Sequence, residues 1–151
     1  MAALCRQFRL SPVENIALGE TKDSGSTIKL YYGALMTVPK DSVQSTLKDG
    51  DALQHAKEGA SWNSENVYEF NSTVCTLSQL MDKYKLSRVD VLSLDVEGYE
   101  LKILNGIDFA KHSIKFILVE TSQIFEVERM LSATHRLVEK LSFHDYLFDE
   151  I

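Results

Sequence analysis

The chain has 151 residues, 44% hydrophobic and 25% charged, the composition of one ordinary globular domain and not of a disordered or fibrous chain. Its formal net charge of −6, with no dense stripe of lysine and arginine, argues against a nucleic-acid partner, because such binding draws its affinity from neutralised phosphates. Its apolar runs, longest near residues 89–94 and 114–119, fall far short of the roughly 20 residues that cross a bilayer. No membrane partner is therefore expected, and with no secretory signature in residues 1–10 the expected location is cytoplasmic.

Taken in chain order, residues 13–18 and 27–32 read as strands, with Gly25 at the turn between them. Residues 33–66 show no sustained period and read as a long variable loop or insertion with at most one short helix. Trp62 and Tyr68, at its far end, are candidates to stack on a ligand or to pin the loop. Thr76-Leu77-Ser78-Gln79 has the spacing of a capping box, and Leu77, Leu80, Met81 and Tyr84 then share one face of a helix ending near Lys85.

The second half is more regular. Residues 89–94 read as a strand covered on both faces, because an exposed face would demand stricter alternation. Leu101, Leu104 and Ile107 space as a helix closed by Gly106, and residues 114–119 form the next buried strand, parallel to the first. Val127, Met130, Leu131, Thr134, Leu137, Val138 and Leu141 follow helical spacing over four turns, and residues 143–148 supply a third strand. The alternation predicts a single α/β domain over residues 1–151 with a mainly parallel sheet.

In open parallel sheets ligands bind beyond the carboxyl ends of the strands, which singles out Asp95, Glu97 and Glu120. Gly98 lets the backbone turn sharply there or approach a ligand. The spacing weighs equally a structural role, in which Asp95 caps the following helix and Glu97 complements its dipole. Asp95 and Glu97 could also hold a divalent cation, since hard cations prefer oxygen ligands. His55, His112, His135 and His144 are scattered without ligand spacing and receive no metal role; Cys5 and Cys75 are expected to be buried free thiols.

The strings Val74-Cys75-Thr76-Leu77-Ser78-Gln79-Leu80, Val89-Asp90-Val91-Leu92-Ser93-Leu94-Asp95-Val96-Glu97-Gly98-Tyr99-Glu100, Leu104-Asn105-Gly106 and Phe116-Ile117-Leu118-Val119-Glu120 occur in the order of blocks typical of FkbM-type methyltransferases. Asn15-Ile16-Ala17-Leu18-Gly19 is similar to the family's strand before its variable region. The chain thus resembles that family over most of its length, and least over residues 33–66.

The resemblance implies a Rossmann-like fold and S-adenosylmethionine-dependent methylation of a hydroxyl on a sugar or other small metabolite. It implies Glu97 as general base or acceptor-orienting residue, Asp95 as its partner near the methyl group and Glu120 as an acceptor contact. Ala17 and Leu18, together with Asp95, would line the cofactor site. The family's glycine-rich first turn has no counterpart here: none of the seven glycines forms a GxG pair. The resemblance therefore also implies a sheet truncated at its N-terminus. In such a sheet the strand at 89–94 would become an edge, completed by an N-terminal segment or by a dimer partner, and cofactor binding would be weak. The alternative is a degenerate, catalytically inactive interaction module.

Overall fold

The computed structural model describes residues 12–40, 42 and 52–151, which contain two four-stranded sheets. The first comprises β1 (Ala17–Leu18), β2 (Thr27–Tyr32), β3 (Val38–Pro39) and β4 (Tyr68–Cys75), in the order β1-β4-β2-β3. The second comprises β5 (Arg88–Leu94), β6 (Ser113–Glu120), β7 (His135–Lys140) and β8 (Asp145–Glu150), in the order β5-β6-β8-β7. Four α-helices accompany them among the described residues: α1 (Ala52–Trp62), α2 (Leu77–Lys83), α3 (Glu100–Leu104) and α4 (Ile124–Leu131). None of the described helices is long and apolar enough to cross a membrane.

β2 forms where alternation placed it and pairs antiparallel with β4, from Thr27 opposite Thr73 to Tyr32 opposite Tyr68. Only Ala17 and Leu18 of the expected first strand enter the ladder, lying parallel to Val74 and Cys75. Cys75 is a free, half-buried thiol, and Cys5 lies outside the described residues. The stretch between the first two strands and β4 contains α1, whose Ala52 and Ala56 pack with Val38 in a small separate core. Residues 41 and 43–51 lie outside the described residues.

The capping box at the start of α2 is reciprocal. The Gln79 N–H donates to Thr76 Oγ1 at 3.1 Å, and the Thr76 N–H donates to Gln79 Oε1 at 3.0 Å, satisfying two of the amides a helix start leaves open.

In the second sheet β5 and β6 are parallel neighbours, in register from Arg88 opposite Ser113 to Leu94 opposite Val119, joined through α3. The main core lies here, where Ile114, Ile117, Val119 and Phe148 of the sheet meet Leu104 of α3 and Leu131 of α4. Three expectations for this half need correction. β6 is covered on both faces, but β5 is not, with Val91 57% exposed; among the described strands β5 stands at the edge of its sheet, as the truncated-sheet reading expected.

The helical pattern expected from Val127 to Leu141 ends at Leu131. Residues 135–140 are instead strand β7, in which Val138 and Leu141 beyond it are exposed, so part of the apparent helical face had no core to cover. β7 forms a hairpin with β8, and pairing backbone with backbone prevails over an incomplete apolar stripe. The final strand accordingly begins two residues later than expected and runs antiparallel to β6, with Phe148 opposite Ile117. The sheets are therefore mixed and not mainly parallel: β1–β4 and β5–β6 are parallel, and the other four pairings are antiparallel.

Gly106 follows α3 as the sequence suggested, but for a different reason. Its backbone does not need a positive φ; a β-carbon there would stand 2.3 Å from the Gly19 carbonyl oxygen, so the residue lets α3 approach the end of β1.

Candidate active site

Because β5 and β6 are parallel and in register, their carboxyl ends emerge together. Asp95 follows Leu94, whose partner Val119 precedes Glu120, so the two acids stand side by side at the sheet's rim. The chain then turns through Glu97 at φ 52° and Gly98 at φ 89°. A left-handed backbone suits Gly98 but strains Glu97, and a residue held in that region at a strand end marks a position the surrounding fold over-determines.

Asp95 does not cap the following helix. α3 begins at Glu100, its N-cap is Tyr99, and no side chain caps it in that position. The open Gly98 N–H is taken by Glu100 Oε1 at 2.8 Å. Asp95, Glu97 and Glu120 instead line one cavity of about 200 Å³ together with His55, Glu100, Thr121 and His144.

The Glu97 side chain is 25% exposed, and its Oε2 lies 2.9 Å from Nε2 of His55, which reaches in from α1. Glu100, 2% exposed, accepts a 3.5 Å hydrogen bond from Thr121 Oγ1. Burial pushes the Glu100 carboxyl above its ordinary value, against the opposing pull of backbone N–H donors led by Gly98. The Glu120 carboxyl is also raised, first by loss of solvent and then by the negative charge of Asp95, with Asp145 and Glu97 adding to it.

A second cavity, of about 380 Å³, opens beside the first. Ala17, Leu18, Ile28 and Leu30 supply apolar wall, and Asp95, Glu97 and Tyr99 complete it. Ala17, Leu18 and Asp95 therefore do come together, and Asp95 and Glu97 border both cavities.

The remaining histidines and aromatics divide plainly. Buried His112 has Nδ1 3.1 Å from the Leu86 carbonyl, and buried His135 has Nε2 2.7 Å from the Ile114 carbonyl, both structural positions. Tyr68 stacks on Tyr32 at 4.7 Å, pinning β4 to β2, whereas Trp62 is exposed. Among the described residues no group of three or more His, Cys, Asp or Glu side chains is placed to hold a metal ion.

The family model described as the Methyltransferase FkbM domain matches residues 5–148. The chain belongs to the FkbM methyltransferase family. The match spans both cavities, so Asp95, Glu97 and Glu120, and the apolar wall at Ala17 and Leu18, all lie within the methyltransferase domain. No curated protein and no solved structure matches the chain.

Sequence reasoning missed His55, Glu100 and Thr121. His55 sits in the stretch without period and is 42 residues from its partner, so nothing local points to it. Glu100 and Thr121 did leave a signal: Glu100 closes the string from Val89 that carries the family resemblance, and Thr121 immediately follows Glu120.

Proposed function

We propose that the chain is an S-adenosylmethionine-dependent O-methyltransferase acting on a hydroxyl of a sugar or another small hydroxylated metabolite. The observation that carries this reading is that two cavities adjoin at the carboxyl ends of parallel β5 and β6 and share Asp95 and Glu97. S-adenosylmethionine, when bound, supplies an electrophilic methyl group on a positively charged sulfur. The apolar wall of Ala17, Leu18 and Ile28 suits the adenosyl portion, and the Asp95 carboxylate, on the same wall, suits the sulfonium charge. The acid-lined cavity suits a polyhydroxyl acceptor, for which carboxylates are strong hydrogen-bond acceptors.

In this reading Asp95 holds the donor side, Glu97 orients the acceptor hydroxyl or serves as its base, and Glu120 contacts the acceptor. Holding both partners in line is the main catalytic demand of such a displacement, worth up to about 7 to 11 kcal/mol in model systems. The absence of any GxG pair among the seven glycines removes the usual backbone grip, so the donor is expected to bind weakly and to be needed at high concentration.

The test is transfer of a labelled methyl group, at millimolar S-adenosylmethionine, to methyl glycosides and simple polyols. Glu97→Gln should lower the rate by about 10² to 10⁴ with cofactor affinity nearly unchanged. If no acceptor is labelled, the non-catalytic interaction module takes over, a reading favoured by the exposed edge of β5 at Val91.

A further inference from the structure

Glu97 is held in place by a histidine, and that pairing bears on where the acceptor's proton goes. An ionised carboxylate can only accept hydrogen bonds, so in the 2.9 Å contact it is Nε2 of His55 that donates to Glu97 Oε2. In a neutral imidazole the other nitrogen, Nδ1, then carries a lone pair. Among the described residues nothing hydrogen-bonds to Nδ1, and the His55 side chain is 13% exposed. The ring lines the same cavity as Asp95, Glu97 and Glu120.

We propose that His55 is a catalytic residue of the methyl transfer, with Nδ1 as the base that takes the acceptor's proton, and that Glu97 is its positioning residue. This rests on the O-methyltransferase reading and narrows the role of Glu97 within it. In the step, the acceptor O–H bond breaks and its proton passes to Nδ1. The freed electron pair on oxygen forms the new O–CH₃ bond, and the S–CH₃ bond breaks with its pair returning to sulfur. The positive charge that leaves the sulfonium reappears on the imidazolium, which Glu97 stabilises across the Nε2–H contact.

The setting suits a cationic ring. Every other ionisable group lining the cavity, apart from His144, is an acid: Asp95, Glu97, Glu100 and Glu120. The cost of placing Glu97 in a left-handed backbone fits a carboxylate whose position matters more than its local comfort. α1 is itself anchored, through Ala52 and Ala56 against Val38, so His55 approaches from a packed helix and not from a free loop.

Two measurements on the whole chain test this. Long-range ¹⁵N–¹H correlation of the labelled histidine rings at pH 8 should show His55 protonated at Nε2 and bare at Nδ1; the opposite tautomer overturns the proposal without touching the O-methyltransferase reading. In methyl transfer to glycosides and polyols, His55→Gln, which keeps a donor for Glu97 but cannot take a proton, should lose about 10² to 10⁴ in rate. His55→Ala should lose as much and recover in part on addition of free imidazole, which a merely structural role would not permit. If both variants keep the rate while Glu97→Gln loses it, Glu97 is itself the base and His55 is not. If the unaltered chain labels no hydroxyl acceptor while the tautomer is as expected, the O-methyltransferase reading fails, and the role of His55 falls with it.

Discussion

Gly59 of α1 packs against Gly33 so closely that a β-carbon on Gly59 would stand 2.4 Å from the Gly33 carbonyl oxygen and 2.6 Å from Met36 Cβ. The contact fixes the helix that carries His55. Gly59→Ala should destabilise the chain by about 1 to 3 kcal/mol in chemical denaturation, because backbone and not a flexible side chain must give way. It should also weaken the His55–Glu97 contact, visible as a shift of the His55 ring signals. Unchanged stability would show that α1 can slide at no cost.

Glu97 offers a separation of stability from activity. A non-glycine residue in the left-handed region costs roughly 1 to 2 kcal/mol, and asparagine tolerates that region better than glutamate. Glu97→Asn should therefore leave stability level or raise it by up to about 1 kcal/mol while abolishing methyl transfer. A clear loss of stability would mean that the His55 contact outweighs the backbone strain.

Glu100 predicts a pH dependence. Its carboxyl is raised in the folded chain by burial, so the folded state holds the proton to higher pH than the unfolded state does. Stability from this group is complete below the ordinary carboxyl value, about 4.5, and is lost as pH climbs from there through the raised folded value. Glu100→Gln keeps an acceptor for the Gly98 N–H and removes the charge. Its melting temperature should exceed that of the unaltered chain at pH 8, and the gap should close near pH 4. Parallel melting curves across that range would show that the charge of Glu100 is not the cause.

Thr76→Ala removes the acceptor of the Gln79 N–H while leaving the backbone N–H of residue 76 to donate to Gln79 Oε1. The expected cost is about 0.5 to 2 kcal/mol, and Thr76→Ser should restore most of it. Failure of serine to restore stability would assign the loss to the methyl group of the buried Thr76 and not to the cap.

Calorimetry of S-adenosylmethionine with this chain should give a dissociation constant weaker than micromolar, which corresponds to about −8 kcal/mol. A micromolar value would show that the wall of Ala17, Leu18 and Asp95 grips the cofactor without a glycine-rich turn.

What the sequence determined by itself was local or strictly periodic. The capping box at Thr76 and Gln79 spans four residues, β2 carries its own alternation, and the apolar run of β6 could only be a covered strand. Asp95, Glu97 and Glu120 were legible as site candidates because a residue just past a parallel strand has few places to be. Tertiary structure decided everything that depended on partners distant in sequence. Residues 135–140 carry enough apolar spacing to imitate a helix, and only the hairpin with β8 makes them strand β7. β5 looked covered on both faces because its apolar content is the same whether or not a neighbour is present. The contact of His55 with Glu97 closes 42 residues through the seating of α1 on Gly33 and Val38, a fit of surfaces that no periodicity in residues 33–66 records.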